Sequence, residues 1–335
     1  MPRRARIDAP GALQHIICRG IDRCRVFRDD SDRREFISRL GRILGETRTT
    51  CYAWALMPNH FHLLLRTGDA AIAIVMKRLL TGYAVHFNRR HRRHGYLFQN
   101  RYKSILCQED AYLLELVRYI HLNPLRANLV PSMTELDDYE FCGHGVILGN
   151  HQKGWQDIKK LLGMFGKRAA EARRKYRAYV EQGIARGRRP DLIGGGLVRS
   201  SGEWQALKSM RRLRVHSQGD ERILGDSDFV QQVLKEQNER LEKRARIRLY
   251  GFDSQAAAAR IEKVFGLTFR ELSQGSRQRE VVKARSVLCY WVVKELGMSG
   301  AQTARWLSIG QSAVQRSVLR GEKIARELNL TLLAE

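Results

Sequence analysis

His60, Phe61 and His62 open an apolar run, His60 to Arg66, that reads as a β-strand. Residues two apart on a strand point to the same side. Both imidazoles can therefore serve one divalent cation, while Phe61, Leu63 and Leu65 turn into the core and leave the pair facing open space. Tyr119 and Asn123 stand four apart in an apolar helical stretch and share a helix face. Asn123 precedes Pro124, so it is pushed to the helix end, where its amide can reach sideways to a metal as a third ligand. Glu115, another turn back, is more readily a solvated glutamate than an aid to the metal. A phenol with a pKa of about 10 is a poor nucleophile at neutral pH. A metal that polarises a phosphodiester and orients it for in-line attack offsets that weakness. Attack by Tyr119 would leave a covalent phosphotyrosine and keep the bond energy for rejoining. Taken singly, each pair has an ordinary reading: two histidines on a polar sheet face, and a half-buried core tyrosine. Two imidazoles, an amide oxygen and waters suit Mg²⁺ or Mn²⁺ better than a closed zinc site.

The elements that must position these groups alternate in a definite order. Residues 13–19, LQHIICR, form a short strand of apolar and β-branched residues. Asp29, Asp30 and Ser31 offer caps for a helix over 31–47, with Phe36, Ile37, Leu40, Ile43 and Leu44 at helical spacing. A strand over 51–56, the turn Met57-Pro58-Asn59 and the strand over 60–66 make a hairpin. A helix over 70–90 carries Ile74, Leu79, Leu80, Tyr83 and Phe87 on its apolar side. A fourth strand falls within 97–106, and an apolar helix over 111–121 ends near Asn123-Pro124. The order β-α-β-β-α-β-α is α+β, the ferredoxin-like split βαβ pattern plus one helix.

Composition shifts after about residue 150. Residues 167–189 carry nine Lys/Arg against two Glu around a helical pattern, and Gly194 to Gly196 mark a turn or linker. Residues 278–296 form an apolar-periodic helix. Gly297-Met298-Ser299 then turns into a short helix over 299–307, and Ser308-Ile309-Gly310 turns into a last helix over 311–320. That succession is a helix-turn-helix pattern. Three domains are expected: 1–150, a basic helical connector over 151–245, and a C-terminal helix-turn-helix domain over 246–335.

The chain has 335 residues with 60 Lys+Arg against 35 Asp+Glu, net +25. So large an excess attracts polyanions, nucleic acid first among them. Residues 86–103 hold Arg89, Arg90, Arg92, Arg93, Arg101 and Lys103 with no acid, interleaved with Phe87, Tyr96, Phe98 and Tyr102. Cations grip phosphates and aromatics stack unpaired bases. The six cysteines include no CxxC pair, which argues for reduced thiols in a cytoplasmic protein rather than a disulfide framework. No apolar run of membrane-spanning length is present and the start does not read as a secretory signal, so no membrane partner is expected.

MPNHFHLLL and RYIHLNPLRANLV together resemble the motifs of the single-tyrosine HUH transposases, most closely the REP-associated tyrosine transposase branch, over about residues 5–150. The resemblance implies His60 and His62 as the metal pair, Asn123 as third ligand and Tyr119 as nucleophile. It also implies a Mg²⁺ or Mn²⁺ cofactor, a single-stranded DNA substrate and a 5′-phosphotyrosine intermediate. The C-terminal stretch VVKARSVLCYWVVKELGMSGAQTARWLSIGQSAVQRSVLRGEKI is similar to the DNA-binding domain of the bacterial replication initiator. Gln311, Ser312, Gln315 and Arg316 would begin its recognition helix and reach base edges in a major groove. The expected function is metal-dependent cleavage and joining of single-stranded DNA, in transposition or processing of repeated palindromes, by a bacterial cytoplasmic, nucleoid-associated protein. A hairpin, or a single strand with a duplex flank, would satisfy both domains. The rivals are a domesticated, non-catalytic DNA-binding regulator, a relaxase or replication nickase, and an RNA-processing enzyme. No GxxxxGK[ST] loop of the kind helicase-bearing nickases carry is present. Monomer and dimer are both open.

Overall fold

The computed structural model describes residue 7 and residues 11–187, 189–192, 220–249 and 251–332. The glycine run Gly194–Gly196 lies outside the described residues. The chain divides into two compact units, Met1–Val233 and Leu234–Glu335.

The first unit is α+β. Its opening elements are β1 (Leu13–Arg19), α1 (Asp30–Thr47), β2 (Thr50–Met57), β3 (His60–Arg66), α2 (Ile72–Arg90), β4 (Lys103–Cys107) and α3 (Glu109–His121). Next come α4 (Asn123–Arg126), α5 (Met133–Asp137), α6 (Gly143–Leu148), α7 (Ile158–Gly163), α8 (Ala169–Gln182) and the two-residue β5 (Ile223–Leu224). The sheet order is β2-β3-β1-β4-β5. β1 sits between β3 and β4, antiparallel to both, and β2 pairs antiparallel with β3. This is the ferredoxin-like split βαβ expected from the sequence, extended by β5 parallel to β4.

Local chemistry explains the element ends. The Asp29 carboxylate accepts from the Asp32 backbone N–H and caps α1, and Arg48 closes it in the left-handed region. Glu109 and Asp110 put negative charge at the start of α3. The fourth strand is shorter than the reading of 97–106. Asn100 takes a left-handed φ of 59°, and only an isolated bridge joins Phe98 to Gly20 before the ladder starts at Lys103. A left-handed residue cannot continue a pleated ladder.

Alternation along the strands builds two cores. Ile16, Cys18, Trp54, Leu56, Phe61, Leu63 and Leu65 face α1 and α2 in one cluster. Leu13, Ala53, Ala55, Leu64, Ile105 and Cys107 face α3 in the other, which α6 and α8 complete through Ile147, Tyr176 and Val180. The helix α8 approaches α3 closely because its cap is Gly183: a Cβ there would fall 2.6 Å from the Arg118 side chain and 2.8 Å from that of Leu122.

The second unit is helical. After α9 (Ser227–Leu249), in which the boundary falls, come α10 (Ser254–Phe265), α11 (Phe269–Ser273), α12 (Arg279–Tyr290) with a π-helical extension Trp291–Glu295, α13 (Gly300–Trp306) and α14 (Gln311–Glu327). Capping boxes, Thr268 with Glu271 and Ser299 with Gln302, start α11 and α13. α14 is longer than its reading of 311–320. Its buried face is Val314, Val318, Gly321 and Ala325. A Cβ at Gly321 would meet the Ser286 carbonyl oxygen at 1.8 Å, so only glycine lets α14 lie this close to α12. Among the described residues, no helix is long and apolar enough to cross a membrane.

Candidate active site

His60 and His62 share the sheet face that α3 covers, because Ala55 and Ile17 flank His62 in register while Phe61 turns to the opposite core. The expectation that the pair faces open space is corrected here. His62 is only 4% exposed. Its ring lies 5.2 Å from that of His60 and 5.8 Å from that of Tyr119. The reason is tertiary: α3 packs on this face and lowers Tyr119 over the end of β3.

Each histidine uses Nδ1 for a hydrogen bond. His60 Nδ1 lies 2.7 Å from Asn59 Oδ1, and His62 Nδ1 lies 3.1 Å from His15 Nε2. If both Nδ1 atoms carry the proton, both Nε2 atoms keep a lone pair for a metal, the arrangement that orients metal-binding imidazoles generally. Burial, with a smaller push from Arg19, takes the His60 pKa down to about 4. Burial, then His15, His60 and Arg19, takes His62 well below its ordinary value. Both rings are therefore neutral at pH 7, the state that ligates.

Tyr119 is 8% exposed, and burial raises its pKa above the ordinary phenol value, against a lowering by Arg126. Asn123 opens α4 one turn beyond it. Its carboxamide nitrogen is buried with no partner among the described residues, as befits an amide set for something other than protein. Among the described residues, no group of three or more His, Cys, Asp or Glu could hold a metal ion. A third donor to a cation held by the two imidazoles would come from outside those residue types. Glu115 is not solvated but committed, with Arg118, Arg186, Arg189 and Tyr179 gathered on its carboxylate.

Three neighbours escaped the motif reading. His15 sits at an unremarked position of β1, and only the β1–β3 register reveals it. Asn59 stands inside the expected turn. Arg126, seven residues after Tyr119, had a helical-spacing signal that the intervening Pro124 obscured.

The basic stretch divides on inspection. Arg89, Arg92, Arg101 and Lys103 are exposed. Arg90 is turned back to bind Asp29 and Asp32, and Arg93 donates to Asn88 and the Tyr96 carbonyl. Of the four aromatics, Phe87 and Tyr102 are buried and Phe98 packs on Phe61 and Tyr83. Tyr96 is 83% exposed, bare enough to stack on a base. In the second unit, Gln311, Ser312, Gln315 and Arg316 all lie on the exposed face of α14.

Comparison with known proteins agrees with the motifs. Residues 11–123 match the family described as transposase, IS200 like. A solved structure of a REP-associated tyrosine transposase bound to a REP hairpin is similar at 16% identity, with a TM-score of 0.37, covering 48% of this chain and 94% of that one. No curated protein sequence matches the chain.

Proposed function

We propose that this protein, whose residues 11–123 match the IS200-like transposase family, is a single-strand DNA endonuclease and strand transferase with Tyr119 as its nucleophile. The observation that carries the reading is the edge-to-face contact of Tyr119 with His62, one of a neutral histidine pair whose Nδ1 atoms are both occupied. His60 and His62, through Nε2, and Asn123 would hold a divalent cation. Bound there, Mg²⁺ or Mn²⁺ would supply the positive charge that polarises a phosphodiester.

The remaining chemistry belongs to the chain. The Tyr119 oxygen bonds to phosphorus as the P–O3′ bond breaks. The 5′-phosphate stays on Tyr119, and the phenol proton ends on the freed 3′-hydroxyl. Reversal with another 3′-hydroxyl joins strands. Arg89, Arg92, Arg101 and Lys103 would grip the backbone, Arg90 and Arg93 would shape the loop that presents them, and Tyr96 would stack on an unpaired base.

We assign this chemistry to residues 1–150, whose core is completed by α8 and β5 of the basic stretch 151–245, and duplex reading to 246–335. There α13, the turn at 307–310 and α14 act as a helix-turn-helix, with Gln311, Ser312, Gln315 and Arg316 at base edges. The substrate is then a hairpin, or a single strand with a duplex flank. The work is transposition or processing of repeated palindromes on bacterial nucleoid DNA.

Covalent trapping tests the reading. Wild type and Tyr119→Phe are incubated with labelled hairpin DNA from the gene's surroundings, with Mn²⁺ or chelator, and resolved on a denaturing gel. A metal-dependent adduct that needs Tyr119 is expected. Binding without any adduct across the panel would leave a non-catalytic DNA-binding regulator.

A further inference from the structure

The helix face that bears Tyr119 and Asn123 does not end with them. Leu122, between α3 and α4, keeps helical angles, so Arg126 follows on the same face, three residues after Asn123. Its guanidinium carbon lies 5.6 Å from the Tyr119 ring centroid. One Nη donates to the Gly183 carbonyl at 3.1 Å, which anchors the side chain. The Nε and the other Nη are buried and have no partner among the described residues.

The neighbouring arginines are different. Arg118 is neutralised by Glu115, and Arg189 by Asp191 and Glu115. Among the described residues no carboxylate lies within ion-pair distance of Arg126. Burial lowers its pKa, and Arg118 and Arg189 add to that. An unpaired, half-buried cation costs stability, and a fold keeps one where an anion is to arrive. Each bare N–H of a guanidinium can donate a charge-assisted hydrogen bond to a phosphate oxygen.

We propose that Arg126 is a catalytic residue that binds the phosphoryl group attacked by Tyr119, with a bare guanidinium N–H donating to a non-bridging oxygen. This rests on the reading of Tyr119 as nucleophile. Arg126 keeps its protons throughout. Charge builds on that oxygen as the Tyr119–phosphorus bond forms and the P–O3′ bond breaks, and the same donor holds the phosphotyrosine afterwards. A guanidinium that merely props the ring by cation–π contact has no need of unpaired N–H groups.

The test has two arms on the full-length protein. The first measures the rate of Tyr119 adduct formation at saturating hairpin DNA with Mn²⁺, and hairpin affinity separately. Arg126→Gln should slow the adduct about 100-fold, the scale of one lost transition-state donor, with little change in affinity. A rate within threefold of wild type overturns the proposal. The second arm needs no cleavage. Tyr119 is replaced by 3-fluorotyrosine, and its ¹⁹F resonance is followed during titration with inorganic phosphate in chelator. A saturable shift that Arg126→Gln abolishes is expected. No shift in the Arg126 protein, or the same shift in Arg126→Gln, overturns the proposal.

If wild type forms no adduct but the phosphate shift depends on Arg126, the strand-transfer reading falls and the anion site stands. Should Arg126→Gln fail to fold, Arg126→Lys keeps the charge and loses the fixed guanidinium donors. Slower adduct formation is then expected, and an unchanged rate overturns the assignment.

Discussion

The two units bury different kinds of side chain. In residues 1–233 the interior includes His15, His62, Asp32, Arg118, His121 and His144 beside two apolar clusters. In residues 234–335 one apolar cluster dominates, and its buried polar residues are Ser286, Glu295 and Thr303. All ten histidines of the chain precede residue 234. On the function proposed above, the contrast separates two tasks. A chemical site needs neutral imidazoles, a phenol and cations removed from water, where their interactions are strong. A surface that reads a groove needs only a rigid helix with its polar residues outside, and an apolar core supplies that at lower electrostatic cost.

A part of the first unit's polar interior is structural. The Tyr176 hydroxyl lies 2.7 Å from His121 Nδ1 and 2.9 Å from His144 Nδ1, and His144 Nε2 lies 2.9 Å from Asp137. His121 stands two residues after Tyr119. The network therefore ties the end of the tyrosine helix to α8, with His121 Nε2 left buried and without a partner among the described residues.

Substitutions should affect the two units separately. Tyr119→Phe should reduce the covalent adduct to background while duplex-flank binding and both melting transitions stay put. Retained adduct would move the nucleophile to Tyr83, Tyr96, Tyr102 or Tyr112. Gly321→Ala should destabilise the second unit by about 3 kcal/mol or more, since a backbone carbonyl cannot yield as a side chain can. Differential scanning calorimetry would show the second unit's transition falling alone, and a shift of the first transition instead would refute the separation. Arg316→Ala should weaken binding of duplex-flanked DNA by about 1–3 kcal/mol without slowing cleavage of a bare hairpin. Tyr176→Phe should cost the first unit about 1–3 kcal/mol, because two buried imidazoles lose a partner, and leave the second unit unmoved.

The smallest effect is that of pH. Burial, then His144, holds the His121 pKa well below its ordinary value. The unfolded chain thus takes up a proton near pH 6.5 that the folded chain refuses. The stability tied to this group is present in full above about pH 6.5 and declines by about 1.4 kcal/mol per pH unit below it. Melts between pH 7 and 5 should lower the first transition and leave the histidine-free second unit without this component. Parallel shifts of both would show that His121 is not the cause.

Much was legible in residue order, and particular residues show why. The strands Leu13–Arg19 and His60–Arg66 follow from two-residue alternation, and α1 from its Asp29 cap, because these signals are local. His60, His62, Tyr119 and Asn123 were legible because their spacings of two and four place them on shared faces of a strand and a helix. The length of β4 was not: Asn100 adopts a left-handed conformation that composition does not announce. Nor could the charge run 86–103 reveal that Arg90 serves Asp29 and Asp32 while Tyr96 stands in water.

Residue order alone sets the succession of elements, the excess of positive charge and the two short motifs, since all three are properties of neighbours along the chain. Only the tertiary structure decided that His15 meets His62 across the β1–β3 register, that α3 buries the histidine pair, and that Arg126 is left with two bare N–H groups. Those facts depend on sheet register and helix packing, which join residues 47 apart in the case of His15 and His62. No periodicity within one element encodes a contact between elements.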